Sequence, residues 1–299
     1  MYSYMDIQLP LELLPSFSVY TLLVSLLLKP GKPPSLLLSL PLLAILLITS
    51  WLTQVIDWRT AAFLVFATLI ISQVQSKHLP IKTFAWIFLS LVPLMLALHL
   101  VPGFTKTTVF GPALLGNSSI PYTLSAHLDK ALGAVLILFC FRYWVSNTSP
   151  SNLKNETNIK PELFAKLGFA MFGIFLIGYI LGVNTDFKFG QLTLAFIFIN
   201  LFVTCIAEEA FFRLIIQRFI FLKSSTASAA IIGSSLLFTL AHFHTGPGAI
   251  ERLSLIFAAG LLYAWSYQRS NSLLLAILLH FSINLIHFSF FVYPASFTH

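Results

Sequence analysis

Ten apolar runs, most of them roughly 17 to 25 residues long, recur along this 299-residue chain, and runs of that length cross about 30 Å of hydrocarbon as helices. They are Leu11–Leu28, Ser35–Ile56, Thr60–Ser76, Thr83–Val101, Leu128–Val145, Leu163–Gly182, Leu192–Phe221, Thr226–His244, Leu253–Tyr267 and Ser272–Val292. Proline, glycine or charge closes the early ones, as at Lys29–Pro34, Asp57–Arg59 and Lys77–Lys82. Only 9% of the residues are charged, against about a quarter in a soluble domain. The expected fold is an all-α polytopic transmembrane bundle of about ten spans.

The formal charge of +7 would point to nucleic acid in a soluble protein. Here the basic residues lie in short loops between apolar runs, so topology accounts for them and no nucleic-acid partner is expected. With the N-terminus outside, Lys29, Lys32, Lys77, Lys82, Arg142, Lys154, Lys160, Lys166, Arg218, Lys223 and Arg269 fall on the cytoplasmic side. Arg59, Lys106, Lys130, Lys188 and Arg252 fall outside, and the 11-to-5 bias selects this orientation. Met1 to Pro15 lacks a basic n-region and carries Asp6 and Glu12, so the first run is read as a retained span. Cys140 and Cys205 both lie within spans and support neither a disulfide framework nor a thiolate zinc cluster.

Two segments break the pattern. Pro102 to His127, rich in helix-breaking Gly and Pro, reads as a loop or re-entrant piece. Ser146–Asn158 is the strongly polar run, and it divides the chain into an N-terminal extension of about five helices (1–160) and a C-terminal region (161–299). The length of Leu192–Phe221 predicts that it bends or leaves the bilayer near Gln217 and Arg218.

The polar residues of three C-terminal spans form one set. Glu208, Glu209 and Arg213 sit in an apolar run, where each charge costs about 3 kcal/mol at mid-membrane on insertion scales. Glu209 and Arg213, four apart, share a helix face and can pair, whereas Glu208 is turned by about 100° and has no local partner. A lone carboxylate in low dielectric gains proton affinity, which suits a general base toward water. Phe238 and His242 share a face, as do His280 and Asn284, and an imidazole with an amide NH₂ can donate to a developing oxyanion. Counted at 1.5 Å per residue from the cytoplasmic ends, Glu208 lies about 15 to 22 Å deep, His242 about 24 Å, and His280 and Asn284 about 12 to 18 Å. The depths overlap.

In this order, Glu-Glu-x-x-x-Arg at 208–213, Phe-x-x-x-His at 238–242 and His-x-x-x-Asn at 280–284 resemble the CPBP family, the CAAX proteases and bacteriocin-processing enzymes. The resemblance runs over roughly Leu163 to Val292. It implies an intramembrane endopeptidase in which Glu208 activates water, His242 positions it, and His280 with Asn284 stabilises the tetrahedral intermediate, with Glu209 and Arg213 as scaffold. It also implies a membrane-anchored peptide or protein substrate, lipidated and CAAX-like or C-terminally anchored, in the lipid of a bacterial cytoplasmic membrane. A metal-free glutamic mechanism is favoured, with no cofactor. The alternative is zinc on Glu208, His242 and His280, although no His-Glu-x-x-His helix is present.

Plainer readings stand beside these. Glu209 with Arg213 can be packing glue, and Asn200 and Thr204 can form an interhelical hydrogen-bonding stripe rather than a path to Glu208. His244 and His287 read as interfacial. A proton-coupled transporter would use the same intramembrane residue types, and a non-catalytic scaffold would tolerate loss of Glu208. The sequence says nothing about oligomeric state.

Overall fold

A computed structural model describes residues 10–28, 36–71, 73, 76–116, 120–148, 160–243 and 248–294. Most of the polar connection at 146–158 lies outside them, as does His244. After a 3₁₀ turn at Leu11–Leu13, four helices follow: α1 (Leu14–Leu28), α2 (Leu36–Leu52), α3 (Trp58–Ile71) and α4 (Leu79–Ala97). Strands β1 (Thr107–Leu114) and β2 (Pro121–Ala126) precede α5 (Leu128–Thr148). The C-terminal region holds α6 (Pro161–Ile180), a continuous α7 (Gln191–Ser224), α8 (Ala227–Ala241), α9 (Ala249–Ser270) and α10 (Leu273–Phe290).

The helical architecture is that of a membrane protein. Among the described residues five helices, α4, α6, α7, α9 and α10, are long and apolar enough to cross a bilayer, while Leu11–Leu27, Trp58–Ala67 and Ala227–Ala241 are shorter apolar helices. The expected count of about ten is therefore not reproduced by the length criterion. Phe169, Phe172 and Ile180 of α6 are exposed, as suits a helix whose outer face meets hydrocarbon.

Pro102 to His127 is neither a plain loop nor a helical re-entrant piece. Its strands pair antiparallel, Thr107 opposite Ala126 and Leu114 opposite Pro121, with register shifts between Thr108 and Ala113. Gly111 lies in that irregular stretch at φ +87°, where a Cβ would run into the carbonyl oxygen of Tyr122, so the bulge requires glycine. Sequence alternation was masked because the bulge breaks the period of two.

Among the described residues three apolar clusters hold the bundle. The largest draws Val19 and Leu23 of α1, Leu124 of β2, Ala131 of α5, Ile206 of α7 and Phe288 of α10 into one buried group, so the two halves share a core. A second joins α3, α4 and α5 around Ala85, Leu89 and Leu96. The third packs α6 to α10 around Phe212, Phe238 and Tyr263. Gly260 of α9 faces Phe238 and Ser235 so closely that a Cβ would lie 3.2 Å from the Phe238 ring, which lets α8 and α9 approach at the level of the polar set.

Candidate active site

Helix α7 is the spine of the site. It is 34 residues long and runs through Gln217 and Arg218 without a break. Wider π-helical turns at Asn200–Cys205 and Ala210–Gln217 flank the short α-helical segment that carries Glu208 and Glu209. Such turns change the angular register of neighbouring side chains and recur at functional sites.

The two glutamates diverge as their spacing predicts. Glu209 is fully buried, and its Oε2 accepts from Arg213 Nε at 2.7 Å. Arg213 Nη1 continues to Gln217 Oε1 at 3.0 Å and Ser234 Oγ at 3.2 Å, and Gln217 Nε2 reaches the Ala264 carbonyl at 3.0 Å. This polar rail ties α7 to α8 and α9. Glu209 does more than pair with arginine, because its Oε1 lies 2.9 Å from His280 Nδ1 and so orients that ring.

Glu208 is not alone, which corrects the sequence expectation. Lys130, in the first turn of α5, donates from Nζ to Glu208 Oε1 at 2.7 Å. The two carboxylates are thus matched by two cations within one buried group, the condition under which charges are tolerated away from water. Glu208 Oε2 is buried without a hydrogen-bond partner. It faces His242 Nε2 at 3.6 Å and His280 Nε2 at 4.0 Å.

Aromatic packing sets both imidazoles. Phe238 lies 4.5 Å from the His242 ring and 5.8 Å from that of His280, centroid to centroid, and Tyr263 stacks on His280 at 4.6 Å. His242 caps α8, with Nδ1 2.8 Å from the Phe238 carbonyl. That carbonyl can only accept, so the Nδ1 proton is directed to it and Nε2 presents a lone pair toward Glu208 in the neutral ring. Asn284 Nδ2 donates to Asn200 Oδ1 at 3.3 Å. Asn200, expected as part of a polar stripe, thereby anchors the amide of the third motif.

All four predicted catalytic residues, Glu208, His242, His280 and Asn284, line one cavity of about 550 Å³. Thr204 and His287 also line it, so His287 is part of the site wall rather than an interfacial residue. The N-terminal half supplies Lys106, Tyr122 and His127. Outside the helices, burial pushes the Tyr293 phenol up to about 12, while burial and the neighbouring His99 hold His127 down to about 4. Both therefore face the cavity as neutral groups near neutral pH. Sequence reasoning missed Lys130 and Tyr263; an ammonium immediately inside a predicted span was the available signal for the first, and none existed for the second.

No curated protein and no solved structure matches the chain. Residues 190–286, the stretch that carries all three motifs, match the family model described as Rce1-like, type II CAAX prenyl endopeptidase, a match consistent with the resemblance to the CPBP family.

Proposed function

We propose that the protein is an intramembrane endopeptidase that cleaves a membrane-anchored substrate, prenylated and CAAX-like or C-terminally anchored, with water activated by Glu208. The observation that carries this reading is the unbonded, buried Oε2 of Glu208 facing two imidazole nitrogens across gaps of 3.6 and 4.0 Å. A water seated there can donate one proton to Oε2 and the other to the lone pair of His242 Nε2, leaving its own lone pair for the substrate carbonyl. Glu208 takes the proton as the C–O bond forms, then returns it to the amide nitrogen as the C–N bond breaks.

His280 and Asn284 serve the oxyanion. His280 gives Nδ1–H to Glu209 and turns Nε2 toward the cavity, so it can donate to the oxyanion whenever a proton also sits on Nε2. Asn284 Nδ2 gives one N–H to Asn200 Oδ1 at 3.3 Å and lies 3.7 Å from Cys205 Sγ, a weak acceptor that an oxyanion can displace. Lys130 is a positioning residue: it fixes Glu208 through Oε1 and leaves Oε2 for water. In this reading residues 161–299 carry the chemistry, and the extension 1–160 contributes Lys130 and one wall of the cavity.

Zinc on Glu208, His242 and His280 is disfavoured by charge: a dication on Glu208 would sit beside the Lys130 ammonium, which lies 2.7 Å from Oε1. Wild type and Glu208→Gln should be compared in membranes against prenylated and C-terminally anchored peptides, with products read by mass spectrometry. Loss of about 10²- to 10⁴-fold in the variant is expected for removal of a general base. Equal processing by both proteins would bring the transporter and scaffold readings forward.

A further inference from the structure

A second cluster of ligating side chains lies next to the cavity, built entirely from the N-terminal half. His99 follows the C-terminal end of α4, His127 joins β2 to α5, and Asp129 is in the first turn of α5. Each offers one ligand atom, and the three atoms lie within 4.8 Å of one another, the one such group among the described residues. His99 Nδ1 is 2.6 Å from Asp129 Oδ2, and the rings of His99 and His127 have centroids 4.3 Å apart. The other carboxylate oxygen, Oδ1, is held at 2.8 Å by the backbone N–H of Lys130.

We propose that His99, His127 and Asp129 form a divalent-metal site, with zinc as the best-matched ion, that fastens the start of α5. Two imidazoles and one carboxylate are a donor set zinc takes readily, with a water completing the tetrahedron. Burial is graded in the way such a site needs: Asp129 is buried, His127 is half-buried and His99 is exposed, so an ion can enter from the His99 side. The ion takes the place of the proton between His99 Nδ1 and Asp129 Oδ2, which sits on Nε2 of His99 instead, and the two donors open from hydrogen-bond distance to roughly 3.3 Å. His99 has a left-handed backbone, φ +58°, which a histidine adopts at a cost and which a metal tie would offset.

The consequence reaches the reaction site. Asp129 is adjacent in sequence to Lys130, and Lys130 holds Glu208. Metal at this cluster joins the α4 end, the hairpin and α5 into one rigid corner from which the ammonium projects. The site belongs to the extension and lies outside the Rce1-like stretch at 190–286. It does not depend on the peptidase reading.

The test uses the full chain purified in detergent with a tag free of histidine, stripped with chelator and then dialysed against zinc. Metal analysis should find one zinc per chain in wild type and in Glu208→Gln. His127→Ala and Asp129→Asn should bind less than a tenth of that, and His99→Ala, at an exposed position, should weaken binding at least tenfold. Cobalt loading of wild type should give the intense visible bands of a tetrahedral site, and zinc X-ray absorption should show two imidazoles; both readings are independent of how the variants fold. Zinc should raise the melting temperature of wild type and Glu208→Gln but not of His127→Ala. Substoichiometric zinc in wild type overturns the proposal, as does zinc retained by all three cluster variants or lost on Glu208→Gln.

Discussion

The ammonium of Lys130 lies 2.7 Å from the carboxylate of Glu208, across 78 residues of sequence, and joins an N-terminal helix to the centre of the C-terminal motif set. Both side chains are largely buried, at 20% and 12% exposure, so water screens the pair little. Lys130→Met strands the buried Glu208 carboxylate, at a cost of about 3 to 5 kcal/mol, and frees it to rotate, so rates are taken well below the melting point of the variant. The expected result is a drop in kcat of about 10²-fold with KM nearly unchanged, the size seen when one fixed electrostatic partner is removed. Lys130→Arg should recover part of the rate. An unchanged kcat in Lys130→Met would assign the pair to packing alone.

Glu209 holds Arg213 and His280 at once, with no solvent exposure of its own. Glu209→Gln strands the buried Arg213 cation and should destabilise the protein by about 3 to 5 kcal/mol. Adding Arg213→Met to that variant should restore stability, because the uncompensated charge is removed with its partner. Thermal unfolding of the single and double variants in detergent measures both effects.

Phe238 packs against His242, His280, Phe212 and Tyr263 and is buried. Phe238→Ala should cost about 3 to 5 kcal/mol from the lost side chain and its cavity. Both imidazoles also lose the wall that orients them, so specific activity should fall even at temperatures where the variant stays folded. Steady-state rates taken well below its melting point separate the two effects.

Gly111→Ala places a Cβ against the Tyr122 carbonyl at a φ of +87°. The strained bulge should cost about 1 to 3 kcal/mol. Because β2 carries Tyr122 into the cavity wall, the same change should raise KM for peptide substrates. Backbone amide exchange along 107–126, read by mass spectrometry, should accelerate in step.

Much of the site could be read from spacing. Glu209 with Arg213, Phe238 with His242, and the separate course of Glu208 follow from residues four apart sharing a helix face, and the structure contains each relationship. The overlap in estimated depths anticipated that three segments converge, and Glu208, His242, His280 and Asn284 do line one cavity. Lys130 was legible only as a basic residue near a span end, since nothing local distinguishes a lysine that pairs with a distant carboxylate from one that faces water. The hairpin was hidden by its own bulge, and the expected bend or exit from the bilayer near Gln217 falls within a continuous helix in which Gln217 bonds Arg213 and α9.

By itself the sequence determined the membrane class, through runs of apolar residues too long and too uncharged for a soluble core, and the local pairs, through the 3.6-residue period of the helix. Only the tertiary structure decided what each polar atom meets across helices: Lys130 at Glu208, Glu209 at His280, Asn200 at Asn284, and His99 with His127 at Asp129. The physical reason is one of range. Helical periodicity acts within a turn or two and is written in adjacent residues, whereas the compensation of a buried charge depends on how distant helices pack, which no short stretch of sequence encodes.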